Sequence, residues 1–271
     1  MPSLEEEVKG LRKSWHDGVV PEAAPIAYEG GTSAVLLLHG LTSSPAEFRT
    51  LAEALHERNF TVCVPLLPGH GTDPHDLRRI KAREWIEAAV SGFDELSKKG
   101  KSISVAGFSM GGTLAMYLAA TRKVERLLLL APFIRIYRPP KAWIPPEIKI
   151  FTAGYLNRYY CKTRIGGIND LSKLREHFAY YNVPLRALRQ ALKNVRKVRK
   201  LMKEITAPTL ILHSKKDETV DSKGSQEIIN NISSHEKKVV WFERSNHILT
   251  LDYDREDVLS YSIKFLTGLA V

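Results

Sequence analysis

With 271 residues, 44% of them hydrophobic and 26% charged, the chain has the composition of a soluble globular protein and room for one large α/β domain carrying an insertion. No apolar run approaches the length of a membrane span, and two cysteines, Cys63 and Cys161, argue against a disulfide framework and for a reducing compartment. The net charge of +10 is confined to one stretch: residues 135–204 hold 17 Lys and Arg against 4 Asp and Glu, which leaves the remainder of the chain slightly acidic.

The first residues, Met1-Pro2-Ser3-Leu4-Glu5-Glu6-Glu7, lack an apolar leader core, so no signal peptide and a cytoplasmic location are expected. Leu4, Val8, Leu11 and Trp15 recur at helical spacing, which predicts an amphipathic helix over residues 1–16. An edge strand is expected near Ile26–Glu29. Ala34-Val35-Leu36-Leu37-Leu38 then reads as a strand buried on both faces of a parallel sheet, followed by the loop His39-Gly40-Leu41-Thr42. Pro45 opens a helix to about Arg58, and Thr61–Pro65 is the next strand. After the turn-rich Leu67-Pro68-Gly69-His70-Gly71, a helix is expected over 83–99 and a strand over 103–106. A helix ending near Ala120 and a strand over 124–130 follow.

The strand–helix rhythm then breaks. Residues 133–206 contain Pro139-Pro140 and Pro145-Pro146 and a long helical repeat. In it Leu185, Leu188, Leu192, Val195 and Met202 form an apolar stripe, with Arg186, Lys193, Lys197 and Lys200 largely off it. This segment reads as a basic helical cap inserted in the core, 133–206, between core segments 1–132 and 207–271. Sheet rhythm returns with Thr209–His213, a helix over 222–231, the strand Lys238–Phe242 and a last helix from about Arg255 to Leu266. Alternating strands and helices predict right-handed crossovers and a mostly parallel sheet with helices on both faces.

The chemistry centres on Gly107-Phe108-Ser109-Met110-Gly111, a G-x-S-x-G pentapeptide between a strand and a helix. A turn this sharp lifts a serine oxygen clear of its backbone, and the two glycines remove side chains that would collide there. A serine nucleophile needs a base, and the base needs an acid to orient it. Among nine histidines, His247 lies in a short loop after the last predicted strand, at the sheet edge where open parallel sheets bind ligands. Asp217 follows the strand before it, with Glu218, Asp221 and Asp252 as competing acids. Two backbone N–H groups should bind the developing oxyanion: that of Met110, after the nucleophile, and that of Leu41, in the loop after the first strong strand. His39 and His70 are expected to fix loops.

LLLHGLTSSP, PLLPGHG, GFSMGG, APTLILHSKKDETV and ERSNHILTLD together resemble the α/β-hydrolases, in particular the small carboxylesterase and monoacylglycerol lipase branch, over residues 33–267. The resemblance implies an α/β-hydrolase fold with an inserted cap, Ser109, Asp217 and His247 as catalytic triad, and Leu41 and Met110 as oxyanion donors. It also implies hydrolysis of small-molecule carboxylic esters without metal or cofactor. No H-x-x-x-H or C-x-x-C spacing points to a metal. The cap should line the acyl pocket with Phe133, Ile134, Trp143 and Tyr155, beside Phe151 and Tyr159. Alternatives are a peptidase or C–C hydrolase on the same triad, or a binding scaffold. No nucleic-acid module is recognisable, so no nucleic-acid partner is expected; the basic cap suggests peripheral contact with anionic lipid.

Overall fold

The computed structural model describes residues 21–139, 143–153, 159–161 and 167–270; the expected helix over 1–16 lies outside them. Its centre is a seven-stranded sheet in the order β1 (Ile26–Tyr28), β3 (Thr61–Val64), β2 (Ser33–Leu38), β4 (Ser102–Phe108), β5 (Leu127–Leu130), β8 (Thr209–Ser214), β9 (Lys237–Phe242). Every neighbouring pair is parallel except β1 with β3. Continuous apolar runs make this possible, because successive side chains face opposite sides and both sides must be apolar. In β2, Ala34, Leu36 and Leu38 enter one buried cluster while Val35 and Leu37 enter the other. In β5, Leu127 and Leu129 divide from Leu128 and Leu130 in the same way. One core lies on each face, and helices close both.

Several boundaries differ from the sequence expectation for local reasons. The helix begun at Pro45 is divided into a 3-10 turn, Pro45–Phe48, and an α-helix, Arg49–His56. Strand β5 starts at Leu127 rather than Val124. The stretch before it approaches β4 through Glu125 N–H to Ile103 O, 2.8 Å.

The helix Leu185–Arg199 buries Ala187, Ala191, Leu192, Val195 and Val198, while Leu185 and Leu188 stay half-exposed. The stripe is rotated toward the alanines. Small side chains let this helix sit close to its neighbours, and Asn194 Nδ2 donates to Ala82 O at 3.0 Å across that contact. Between β5 and β8 the chain also forms the helix Pro146–Ala153 and a two-stranded antiparallel ribbon, β6 (Tyr159–Cys161) with β7 (Asn182–Pro184).

Candidate active site

Four loops leave the carboxyl ends of β2, β4, β8 and β9 and meet above the sheet. The tightest follows β4. Ser109 has φ +52°, in the region non-glycine residues avoid, and it caps the buried helix Met110–Thr121. The surroundings hold it there: Ser109 N–H donates to Leu130 O at 2.9 Å, and Ser109 O accepts from Gly112 N–H at 3.0 Å and Phe133 N–H at 2.9 Å. The flanking glycines are needed for space. A Cβ on Gly107 would meet the Gly111 carbonyl, and one on Gly111 would meet the carbonyls of Leu38 and His39.

Ser109 Oγ lies 3.1 Å from His247 Nε2, and His247 Nδ1 lies 2.6 Å from Asp217 Oδ2. A carboxylate only accepts, so Nδ1 carries the proton and Nε2 presents its lone pair to the serine hydroxyl. The Asp217 carboxyl is held well below the usual carboxylate range. Burial works against its ionisation, and the adjacent His247 and His213 outweigh that cost. Its other oxygen accepts from Thr219 N–H and Val220 N–H, both at 2.8 Å.

The competing acids are placed elsewhere. Glu218 is exposed. Asp221 accepts from Lys223 N–H at 3.0 Å and pairs with Arg135 at 3.5 Å. Buried Asp252 accepts four backbone N–H groups: Asn169 and Asp170 at 2.9 Å, Asn246 at 2.7 Å and Tyr253 at 2.9 Å. It therefore ties the histidine loop to the segment near Gly167, whose carbonyl accepts from Ile248 N–H at 2.7 Å.

The loop after β2 lies on the other side of the nucleophile. Gly40 packs on the Phe108 ring, and a Cβ there would sit 3.4 Å from Ser109 Cβ. Gly40 O accepts from His39 Nδ1–H at 3.0 Å and Ser43 N–H at 3.3 Å. In a trans peptide the following N–H points the opposite way, so the Leu41 N–H is turned out of its own loop. Met110, buried, opens the helix beside Ser109.

Two neutral imidazoles hold this loop. His39 Nε2 accepts from Leu67 N–H at 3.0 Å, and His70 Nε2 accepts from Thr42 N–H at 3.1 Å. Burial pushes the His70 imidazole down to about 4 against the pull of the Leu67 and Pro68 carbonyls; burial and then the nearby His70 lower His39 as well. Above about pH 6.5 both states of the chain hold neutral His70, and the network contributes fully. As pH falls from there toward 4, only the unfolded chain gains the proton, and stability drops by about 3 kcal/mol from this residue alone. Denaturant midpoints at pH 7, 5.5 and 4.5 check this; a flat series would contradict it.

Of the expected pocket residues, Phe133 and Ile134 are buried in the apolar cluster that also holds Met110 and Tyr180. Phe133 O accepts from Thr113 Oγ1 at 2.6 Å. Trp143 is not with them: it is 95% exposed. Tyr159 lies in the β6–β7 ribbon with its ring 5.4 Å from His75, and Tyr155 lies outside the described residues. Sequence reasoning missed His213, whose Nε2 is 3.1 Å from Asp217 Oδ2, and missed the clamp made by Asp252. A histidine four residues before the acid was the one available signal for the first.

A mostly parallel sheet with helices on both faces, a serine elbow after β4, and an acid and a histidine after β8 and β9 define an α/β-hydrolase. The family model described as serine aminopeptidase, S33 (Hydrolase_4) matches residues 31–254, and the chain belongs to that family. A thermostable monoacylglycerol lipase from Bacillus sp. (strain H-257) is 33% identical over 252 residues, 91% of this chain and 95% of that protein. A carboxylesterase from Bacillus subtilis (strain 168) is 26% identical over 246 residues, 90% and 96% of the two chains. Among solved structures, one from work on the metagenome-derived lipolytic enzymes LipS and LipT superposes with a TM-score of 0.81 at 27% identity, covering 92% of this chain and 99% of that one.

Proposed function

We propose that this serine ester hydrolase cleaves carboxylic esters, with short to medium acyl chains or as monoacylglycerols, through an acyl-enzyme on Ser109. The observation that carries the reading is the unbroken relay from Ser109 Oγ through His247 to Asp217, at 3.1 Å and 2.6 Å. His247 Nε2 takes the hydroxyl proton as Ser109 Oγ bonds to the substrate carbonyl carbon. The carbonyl oxygen becomes anionic against the N–H groups of Leu41 and Met110. Collapse of this intermediate breaks the C–O bond, and His247 returns the proton to the leaving alcohol. Water, deprotonated by His247, then attacks the acyl carbon and releases the acid and Ser109. Asp217 stays ionised throughout and steadies the imidazolium.

Residues 133–206 act in this reading as the cap over the site. Support comes from three threads: Phe133 N–H bonds Ser109 O, Tyr180 N–H donates to Thr42 O at 2.7 Å, and the Gly167 backbone lies against His247. Its described residues thus touch the nucleophile, oxyanion and histidine loops in turn. Phe133 and Ile134 supply apolar surface at its root.

The aminopeptidase in the family's description is the competing activity. Relatives matching nine-tenths of the chain or more carry lipase and esterase names, which favours the ester. A panel of p-nitrophenyl esters from acetate to palmitate, monoacylglycerols and aminoacyl p-nitroanilides tests the choice. Ester turnover is expected to exceed anilide turnover by at least about 100-fold. Anilide hydrolysis at equal or greater kcat/KM would overturn the reading.

A further inference from the structure

We propose that His213 is a positioning residue for ester hydrolysis, a second imidazole on the Asp217 carboxylate that sets how strongly Asp217 grips the base His247. His213 is the penultimate residue of β8, is fully buried, and has no part in the steps above. Its Nε2 lies 3.1 Å from Asp217 Oδ2, the same oxygen that takes His247 Nδ1–H at 2.6 Å. Its Nδ1 lies 2.6 Å from Ser225 Oγ, on the helix Lys223–Asn231, and its ring stacks on Trp241 with centroids 6.0 Å apart.

Donor and acceptor chemistry fixes the protons. The carboxylate can only accept, so His213 Nε2 must carry hydrogen; in the neutral ring Nδ1 then accepts from the Ser225 hydroxyl. The result is one chain of four hydrogen bonds, Ser225–His213–Asp217–His247–Ser109. Asp217 faces two imidazoles and two backbone donors, Thr219 N–H and Val220 N–H. His247 faces Asp217, Ser109 and the Phe108 ring; His213 faces Asp217, Ser225 and Trp241.

Each donor on a carboxylate draws off charge that another partner would otherwise feel. With His213 in place, Asp217 Oδ2 is shared and holds the protonated His247 less tightly than it would alone. Taking away the His213 N–H leaves that oxygen to His247. The base then becomes harder to deprotonate in the free enzyme, and the carboxylate loses one of the bonds that fix its plane.

The inference rests on the Ser109–His247–Asp217 reading, so Ser109→Ala belongs in the same p-nitrophenyl ester assay. His213→Leu is expected to lower kcat by about 10-fold with KM little changed, and to move the acidic limb of the kcat/KM profile up by about half a unit. His213→Gln, which returns an N–H at similar reach, is expected to restore both toward the parent. Ser225→Ala keeps the ring but frees its orientation, and should shift the limb in the same direction by less. If Ser109→Ala retains turnover, the triad reading falls and this inference with it. If Ser109→Ala is inactive while His213→Leu keeps the parental limb, or Leu and Gln lower kcat alike without moving it, His213 is only packing and the inference alone falls. Should His213→Leu yield no folded protein, Ser225→Ala decides, and an unmoved limb there overturns the proposal.

Discussion

Replacing Ser109 by alanine is expected to lower kcat on a p-nitrophenyl ester by about 10⁴–10⁶ while leaving the fold intact. The size follows from what is removed. In the proposed mechanism Oγ is the nucleophile that His247 activates, so its loss closes the acyl-enzyme route and leaves only the proposed oxyanion donors and the bound geometry acting on water. Structure should survive, because Ser109 Oγ has its bond to His247 and the strained backbone is held by Leu130 O, Gly112 N–H and Phe133 N–H, none of which uses the side chain. Asp217→Asn should cost about 10⁴ for a different reason, since an amide can present its N–H₂ to Nδ1 and turn the imidazole into the wrong tautomer. Stopped assays with a fluorophosphonate label and circular dichroism separate chemistry from folding. Turnover near the parent in Ser109→Ala would place the nucleophile elsewhere.

The largest stability effect is expected at a residue with no chemistry. Gly111→Ala adds a Cβ overlapping the Leu38 carbonyl, 2.5 Å from Leu38 C and 2.7 Å from His39 O. These are backbone atoms at the end of central strand β2, and they cannot yield without moving the strand or the elbow. A cost above about 4 kcal/mol is expected, a large part of a typical domain's margin. Gly100→Ala is the comparison: that glycine has φ +68° but nothing within 4 Å of an added Cβ, so only backbone strain of about 1 kcal/mol applies. Equilibrium unfolding in urea compares the two. Equal midpoints would mean that the elbow is not crowded.

Much of this was legible in the sequence because its signals are local. Unbroken apolar runs announce buried parallel strands, here Ala34–Leu38 and, within the stretch expected over 124–130, Leu127–Leu130, and G-x-S-x-G between strand and helix announces the elbow. The geometry bringing Ser109, His247 and Asp217 together rests on loops whose order the chain already displays. What was not legible is long-range or subtle in chemistry. The exposure of Trp143 depends on how residues 133–206 fold over the body, and aromatic identity alone does not tell a lining residue from a surface one. Asp252 resembled a rival acid because a carboxylate binding four backbone N–H groups is indistinguishable, in sequence, from one binding an imidazole. His213 lies near the end of an apolar strand, and its partner Ser225 lies on the next helix, so only the fold shows that they meet.

The order of strands in the sheet also bears on when activity can arise as the chain folds. Ser109 and His247 are 138 residues apart, and β5 joins β8 across the entire 133–206 segment. Closing that loop costs chain entropy before any contact returns it, so this non-local pairing is expected to form late. The chain through β5 carries Ser109 and the loop after β2, but neither Asp217 nor His247. Enzymatic turnover regained during refolding is therefore a clock for the union of the two halves of the sheet, whereas helix formation followed by far-ultraviolet dichroism runs ahead of it.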